Sequence, residues 1–476
     1  MFLRKIPINF ILIIALFLYY FFFINKGIVI YDEGYYAHIA ERIANGEIPY
    51  KDFFVQFSPG YFYLLAIFYK VFGVSVLTGR VLTLILCLGI GMLTLLILDR
   101  FKVELKLKLL SLAAVAAFGF PLINNMALLA WQSVLLMLLA VLFFMDKKYI
   151  FLGLALSLLL FTKQNLGIYF FVVTNIFLLL NSKDKLKSIL YTNGSFLITT
   201  LFWFSYFFLV LNGLDRFFEL LRFSSRYLSV YPFSYPPLSM LFQPEGIFKL
   251  LPYYFPVIFA FFVIKELFNS KKDLPLLYFS SISLVGFFGT VFPTSDLLHV
   301  YPFLGFILVS SLLFFRKRRL FPVLRVLVLI IIGLGLYLTL FKEYYRYQPG
   351  YRYQKFKTEL PRMKDIYIDE PLATDLSSIN LFFLINTKKN DSVLCYPFCP
   401  MLYFILDKNN PSRFASYYPG YLTKSQEEEI IKNLTEKKVK FVVTFLEYRF
   451  NTPISEFIQR QKKVYQTGEF KIFELY

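Results

Sequence analysis

Cysteine is scarce in this sequence, at three residues in 476, too few for a disulfide-stapled scaffold. Charge is scarce too: Asp, Glu, Lys and Arg make up 17% of the chain, where a soluble globular protein carries about 25%. Water is therefore not its main solvent. No small-residue cleavage site follows the N-terminal apolar stretch. Neither a nucleophile with an adjacent base nor a Gly-rich phosphate-cradling loop is visible, which argues against a hydrolase and a nucleotide-driven pump.

What is present is apolar. Hydrophobic residues reach 58% and aromatics 20%, led by 60 Phe and 35 Tyr, a composition suited to lipid-facing surfaces and interfacial belts. The net charge of +19 does not mark a nucleic-acid binder, because the basic residues fall in short clusters between apolar runs. Apolar stretches near the roughly 20 residues that cross a bilayer occupy 6–24, 76–98, 109–121, 126–145, 149–163, 166–181, 188–211, 250–268, 274–293, 297–315 and 321–341. The first, preceded by Arg4 and Lys5, reads as a retained helix and not a signal peptide. The shorter stretch 61–72, with Ser58 as expected N-cap, Pro59 at the first helical position and Gly73 past the end, predicts a surface-lying helix.

Basic residues mark the cytoplasmic side. Arg4 and Lys5, Arg100 to Lys108, Lys147 and Lys148, Lys183 to Lys187, Lys271 and Lys272, and Arg316 to Arg319 fall in alternate loops. The expected architecture is an all-α polytopic membrane domain of about eleven transmembrane helices over 1–341, with outer loops 25–75 and 212–249 and a cytoplasmic N-terminus. A small extracytoplasmic α/β domain follows over 342–476, with a helix near Ser425 to Lys437 and a strand near Val439 to Phe445. If that tail is outside, Cys395 and Cys399 could pair; two free or buried thiols are the plainer reading. Cys87 reads as a small core residue, and Asn433-Leu434-Thr435, inside the predicted helix, as a chance sequon.

Several ionisable groups gather at one outer level, where their cost near the membrane suggests function. Asp32 and Glu33 open the first outer loop, just before an expected interfacial helix ending near Asn45-Gly46. Arg80 lies about one turn inside the second span, Lys163 with Gln164 and Asn165 where the fifth emerges, and Asp296 and His299 at the start of the tenth. Each has a plainer reading. Asp32 and Asp296 can cap helices and Glu33 can complement a dipole; Arg80 and Lys163 can snorkel; His299 can be a core histidine. Together they suit a site where a carboxylate takes a proton from an acceptor hydroxyl and cations stabilise a phosphate leaving group. In the second outer loop Arg216, Arg222 and Arg226 read as a basic amphipathic segment at an anionic interface or as a gate.

Asp32-Glu33, the stretch from Pro49 to Tyr61, Thr162-Lys163-Gln164-Asn165-Leu166-Gly167 and Ser295-Asp296-Leu297-Leu298-His299 together resemble the GT-C superfamily of integral-membrane glycosyltransferases. The pattern is most similar to the branch of protein O-mannosyltransferases and the lipid A aminoarabinose transferase, and continues at Cys399 to Phe404. The resemblance implies a polyprenyl-phosphate sugar donor on the non-cytoplasmic face, a glycan, lipid or protein acceptor, inversion at the anomeric carbon, and Asp32 with Glu33 as the catalytic carboxylates. Arg80 and Lys163 are the expected donor-phosphate ligands, with Asp52, Gln56, Gln164, Asn165, Asp296 and His299 binding substrate or supporting the site. Asp32-Glu33 is not a D-x-D arrangement, so the sequence does not indicate a metal. A transporter of lipid-linked saccharides is a rival, though no convincing internal repeat appears; a non-catalytic membrane scaffold is another.

The charge asymmetry makes a direct prediction: reporter fusions after Lys185 and after Tyr347 should report opposite sides of the membrane, the second outside. Cytoplasmic signals from both would remove the basis for gathering the polar residues at one face.

Overall fold

The computed structural model describes residues 7–123, 125–181, 185–211, 215–230, 235–243, 246–270, 272–292, 296–341, 349–389, 391–417, 420–445 and 450–475. Arg4, Lys5, Lys183, Lys271, Ser295 and the Arg216 side chain lie outside what is described.

Each of the expected spans is a helix, because apolar backbone removed from water must satisfy its hydrogen bonds internally. With the helices between them, the elements of this region in chain order are α1 (Ile8–Phe23), α2 (Asp32–Ala44), α3 (Gly60–Phe72), α4 (Val76–Arg100), α5 (Leu105–Ala117), α6 (Leu129–Met145) and α7 (Tyr149–Thr162). They are followed by α8 (Gln164–Leu180), α9 (Lys185–Leu211), α10 (Asp215–Val230), α11 (Gly246–Leu267), α12 (Leu274–Val291), α13 (Leu297–Phe315) and α14 (Phe321–Phe341). Among the described residues six helices are long and apolar enough to cross a membrane; the other expected spans are shorter apolar helices. Exposed Phe10, Phe21 and Phe22 on α1, opposite buried Leu12, Leu16 and Tyr20, show a helix apolar all round, as a lipid-facing helix must be. Small residues set the closest approaches: a Cβ on Gly153 of α7 would stand 2.2 Å from the Thr192 carbonyl of α9.

The basic loops meet at one end of this bundle. Asn9 donates to Asp99 (2.7 Å), Asp99 pairs with Lys108, Arg100 pairs with Asp146 (3.0 Å), and Arg318 with Glu266 (2.6 Å). Exposed pairs contribute only about 0–1 kcal/mol each; their significance is that distant loops share one face.

The tail contains β1 (Phe356–Lys357), β2 (Tyr367–Ile368), α15 (Glu370–Asn386), β3 (Val393–Tyr396), α16 (Met401–Leu406), α17 (Lys424–Glu436), β4 (Phe441–Phe445), α18 (Pro453–Gln459), β5 (Lys462–Thr467) and β6 (Phe470–Glu474). Its main sheet runs β3-β4-β6-β5, with β3 and β4 parallel and the other pairs antiparallel. All of β3 is buried, whereas the edge strand β5 opens on exposed Lys462 and Lys463, which discourage further pairing. The Thr423–Gln426 capping box starts α17. Cys395 and Cys399 are buried free thiols, and Cys399 Sγ donates to the Tyr396 carbonyl at 3.7 Å. Burial pushes the Cys395 thiol well above its ordinary value, which keeps it protonated.

Backbone hydrogen bonds stitch the tail to the first outer loop: Gly27 N to Tyr367 O (2.8 Å), Tyr367 N to Asn25 O (2.7 Å), Phe54 N to Arg413 O (2.9 Å), Val76 N to Arg362 O (2.9 Å) and Met401 N to Ile30 O (3.2 Å). The charge-rich helix α2 is consequently covered by the tail and not laid open to headgroups. His38 stacks on Tyr403 (4.8 Å) and Glu41 pairs with Arg362 (2.6 Å). Burial raises Glu41 to about 7, against the pull of Arg362. Gly34 marks the tightest contact, since a methyl there would stand 2.2 Å from the Met401 backbone nitrogen. Gly34→Ala should therefore lower stability by about 1–3 kcal/mol, measured by thermal unfolding in detergent; an unchanged melting temperature would mean the tail does not dock this closely.

Candidate active site

The chain turns sharply between α1 and α2, and that turn is held by one side chain. Arg80, in the first turns of α4, is fully buried and spends all five N–H donors on protein acceptors. Nε donates to Glu33 Oε1 (2.9 Å), Nη1 to the carbonyls of Ile24 (3.2 Å) and Lys26 (3.1 Å), and Nη2 to Gly27 O (2.6 Å) and Glu33 Oε2 (3.1 Å). Glu33 also accepts from Val29 N at 3.1 Å. Asn125, in a left-handed conformation (φ 57°), donates its amide to the carbonyls of Phe23 and Lys26. A buried ion pair this well hydrogen-bonded offsets its desolvation; half of it would not.

These contacts separate the roles of adjacent residues. Glu33, expected beside Asp32 as a catalytic carboxylate, is buried against Arg80; Arg80, expected on the donor phosphate, instead ties the end of α1 to α2. Both side chains are engaged in holding the turn between α1 and α2. Asp32 is partly exposed at the first helical position of α2, and the cap position falls to Tyr31, whose side chain makes no capping bond. The helix N-terminus behind Asp32 favours a carboxylate there.

A second group of expected residues lies where α7 meets α8. Lys163 breaks the helix in extended backbone (φ −145°, ψ 100°) and is half-buried. Gln164 Oε1 accepts from both the N–H (3.0 Å) and the hydroxyl (3.1 Å) of Ser58, and Asn165 donates to the Gly289 carbonyl of α12 (3.0 Å). Ser58 is thus not the cap of α3; Pro59 holds that position, Gly60 begins the helix, and Gly73 ends it with φ 85° as expected. Asp296 does cap its helix, accepting from His299 N (3.1 Å), and its carboxylate also meets His299 Nδ1 at 2.6 Å. Thr290 Oγ1 donates to the His299 carbonyl (2.9 Å), closing α12 onto α13.

The first outer loop links the two groups. Gln56 N donates to the hydroxyl of Tyr35 (3.2 Å), one turn beyond Asp32 on α2, and two residues later Ser58 meets Gln164. Asp52 stands apart: exposed, it accepts from Ile48 N (2.7 Å) and closes a local turn. Asn125 and Tyr35 were not expected at the site. A polar residue in a short connection between apolar runs was the one available signal for Asn125, and Tyr35 carried none beyond its place in the Tyr31 to Tyr36 run. Among the described residues no group of three or more His, Cys, Asp or Glu is assembled as a metal site.

Arg80→Gln or Glu33→Gln leaves an uncompensated buried charge and should cost about 3–5 kcal/mol. Lys163→Gln should unfold much as wild type. Thermal or denaturant unfolding in detergent checks all three; wild-type stability in both Arg80→Gln and Glu33→Gln would contradict the anchoring role.

Neither a family model nor a curated protein matches the sequence. Among solved structures, ArnT from Cupriavidus metallidurans bound to undecaprenyl phosphate is similar, with a TM-score of 0.55 and 12% identity over 98% of this chain and 97% of that one. The same protein in the apo state gives 0.54 over the same shares. Over nearly its whole length, this chain has the GT-C fold of ArnT, a lipid A aminoarabinose transferase.

Proposed function

We propose that the protein is a membrane glycosyltransferase that moves a sugar from a polyprenyl-phosphate donor to an acceptor hydroxyl of the cell envelope, on the non-cytoplasmic face. The observation that carries this reading is the placement of Asp32: a partly exposed carboxylate at the start of α2, on a turn made rigid by the buried Glu33–Arg80 pair and backed by the tail at Met401. The shared fold with a protein crystallised with undecaprenyl phosphate supports a lipid-linked donor.

In this reading Asp32 accepts the acceptor's hydroxyl proton as the oxygen attacks the anomeric carbon. The bond from that carbon to the phosphate oxygen breaks, polyprenyl phosphate leaves, and one displacement inverts the configuration. Phosphate needs little protonation to leave, so a cation suffices, and Lys163 is the cation we assign to it. The lipid chain has a place to lie. An apolar groove of about 480 Å³ runs between α8, α11 and α12, lined by Tyr169, Val263, Ile264, Leu284, Phe288 and Phe292. It also includes Gly289, the residue whose carbonyl holds Asn165 two positions from Lys163. A polyprenyl tail in the groove would bring its phosphate toward the α7–α8 turn.

Asn preserves the shape of Asp32 and removes the proton acceptor. Asp32→Asn should keep wild-type expression and melting temperature while lowering transfer by at least about a hundredfold. The assay follows labelled sugar from the lipid-linked donor into envelope glycans in membranes lacking the native gene. Near-normal transfer would take Asp32 out of the catalytic role.

A further inference from the structure

Helices α15 and α17 cover opposite faces of the tail's main sheet, and their outer surfaces differ in kind. Val393, Cys395, Phe441 and Val443 point to the face where α15 packs Leu376, Ile379 and Phe383, in an apolar cluster continuous with that of the membrane domain. Leu394, Tyr396 and Val442 point the other way, to Ile430 and Leu434 of α17. The outer side of α17 carries Lys424, Glu428, Lys432 and Glu436, as a helix facing water should. By contrast, α15 has no charged residue after Asp375, and its outer side presents Leu381 (58% exposed), Leu384 (70%) and Ile385 (73%). Their spacing of three and four residues makes one stripe along the helix. Among the described residues of the tail, the other exposed large hydrophobics are Tyr353 and Phe356, and Phe356 pairs with Ile368, one residue before the Asp369 cap of α15. An apolar patch gathered on one side in this way marks an interaction surface.

Both ends of α15 are tied to the level where membrane helices end. At its start, the bonds of Tyr367 with Asn25 and Gly27 fix it to the end of α1, just past Leu18, Phe21 and Phe22 on the lipid-facing side of that helix. At its finish, the Lys408 ammonium donates to the Lys388 carbonyl (2.5 Å) and Lys389 lies 3.8 Å from Asp407, at the end of α16. Asp407 pairs with Arg362 (2.5 Å), whose carbonyl accepts from Val76 N at the start of α4. In turn α16 rests on α3 through Phe404 and Tyr69 (5.8 Å), and α3 exposes Ile67, Val71 and Phe72. The stripe on α15 is thus continuous in level with the apolar surfaces of α1 and α3, and it turns away from the sheet behind it. Exposed Lys388 and Lys389 follow directly, where long basic side chains can reach lipid phosphates.

We infer that α15 is an interfacial anchor: Leu381, Leu384 and Ile385 dip into the lipid leaflet beneath the tail, with Lys388 and Lys389 at headgroup depth. The inference stands whether or not the chain transfers sugar. A tail seated in lipid through α15, besides its bonds to α1 and α4, keeps its sheet at a fixed height over the bilayer.

The test uses the full-length protein in nanodiscs, one copy per disc. An environment-sensitive fluorophore is attached at Leu384→Cys or, separately, at Glu428→Cys on α17; the native thiols are buried, and the unsubstituted protein carried through labelling sets the background. Lipid with a nitroxide near the top of its acyl chains should quench the Leu384 probe at least about twofold and leave the Glu428 probe unchanged. The unsubstituted protein supplies a second reading that no variant can disturb: lipid with a photoactivatable acyl chain should leave adducts within 376–389 and none within 424–440, located by peptide mass spectrometry. Quenching confined to the α15 probe, with adducts in the same segment, supports the anchor. A Leu384 probe quenched no more than the Glu428 probe, or an absence of adducts in 376–389, overturns it. Shielding of the Leu384 probe only in discs that hold two copies assigns the stripe to a second copy of the chain and overturns it as well.

Discussion

The buried pair of Glu33 and Arg80 is the constraint on which the tail-covered end of the membrane domain depends. A guanidinium with no exposure can persist only if every donor is met, and meeting them requires three backbone carbonyls, of Ile24, Lys26 and Gly27, to converge on it together with one carboxylate. That convergence bends the chain at the end of α1 and sets where α2 begins. Asn125 reinforces the same bend from the α5–α6 connection. The cost of leaving such a group half-satisfied gives the turn its rigidity, and Asp32 inherits it as the residue just before Glu33.

The tail completes this arrangement instead of hanging from it. Its backbone bonds to residues 25–30, 54 and 76 make the first outer loop and the tail one packed body. This explains why α2 carries Glu33 and Glu41 in buried positions: the helix is sandwiched, and these carboxylates find Arg80 and Arg362 as partners, while His38 is covered by the ring of Tyr403. It also explains Gly34, where any side chain would collide with Met401. A catalytic carboxylate at the head of such a helix would be pre-positioned, with little reorganisation left for the reaction.

The expectations drawn from single residues fared according to how local their physics is. Asp296 caps α13 and Gly73 ends α3, because capping is decided within one helical turn. Ser58 has the composition of a cap and is instead held by Gln164, more than a hundred residues away. Arg80 and Glu33 both read as outer-level charges suited to substrate, and nothing within a helical turn of either announces that they pair across 47 positions.

The sequence by itself determined the membrane class, the helical spans and the clustering of basic loops, because hydropathy and charge act residue by residue against lipid and water. It also located the α/β character of the tail, with α17 at Lys424–Glu436 and β4 at Phe441–Phe445. Only the tertiary structure decided which ionisable groups face each other. A buried charge is worth what its partners make it, and those partners come from elements far apart in the chain, so Glu33 and Arg80 became an anchor while Asp32 remained partly exposed.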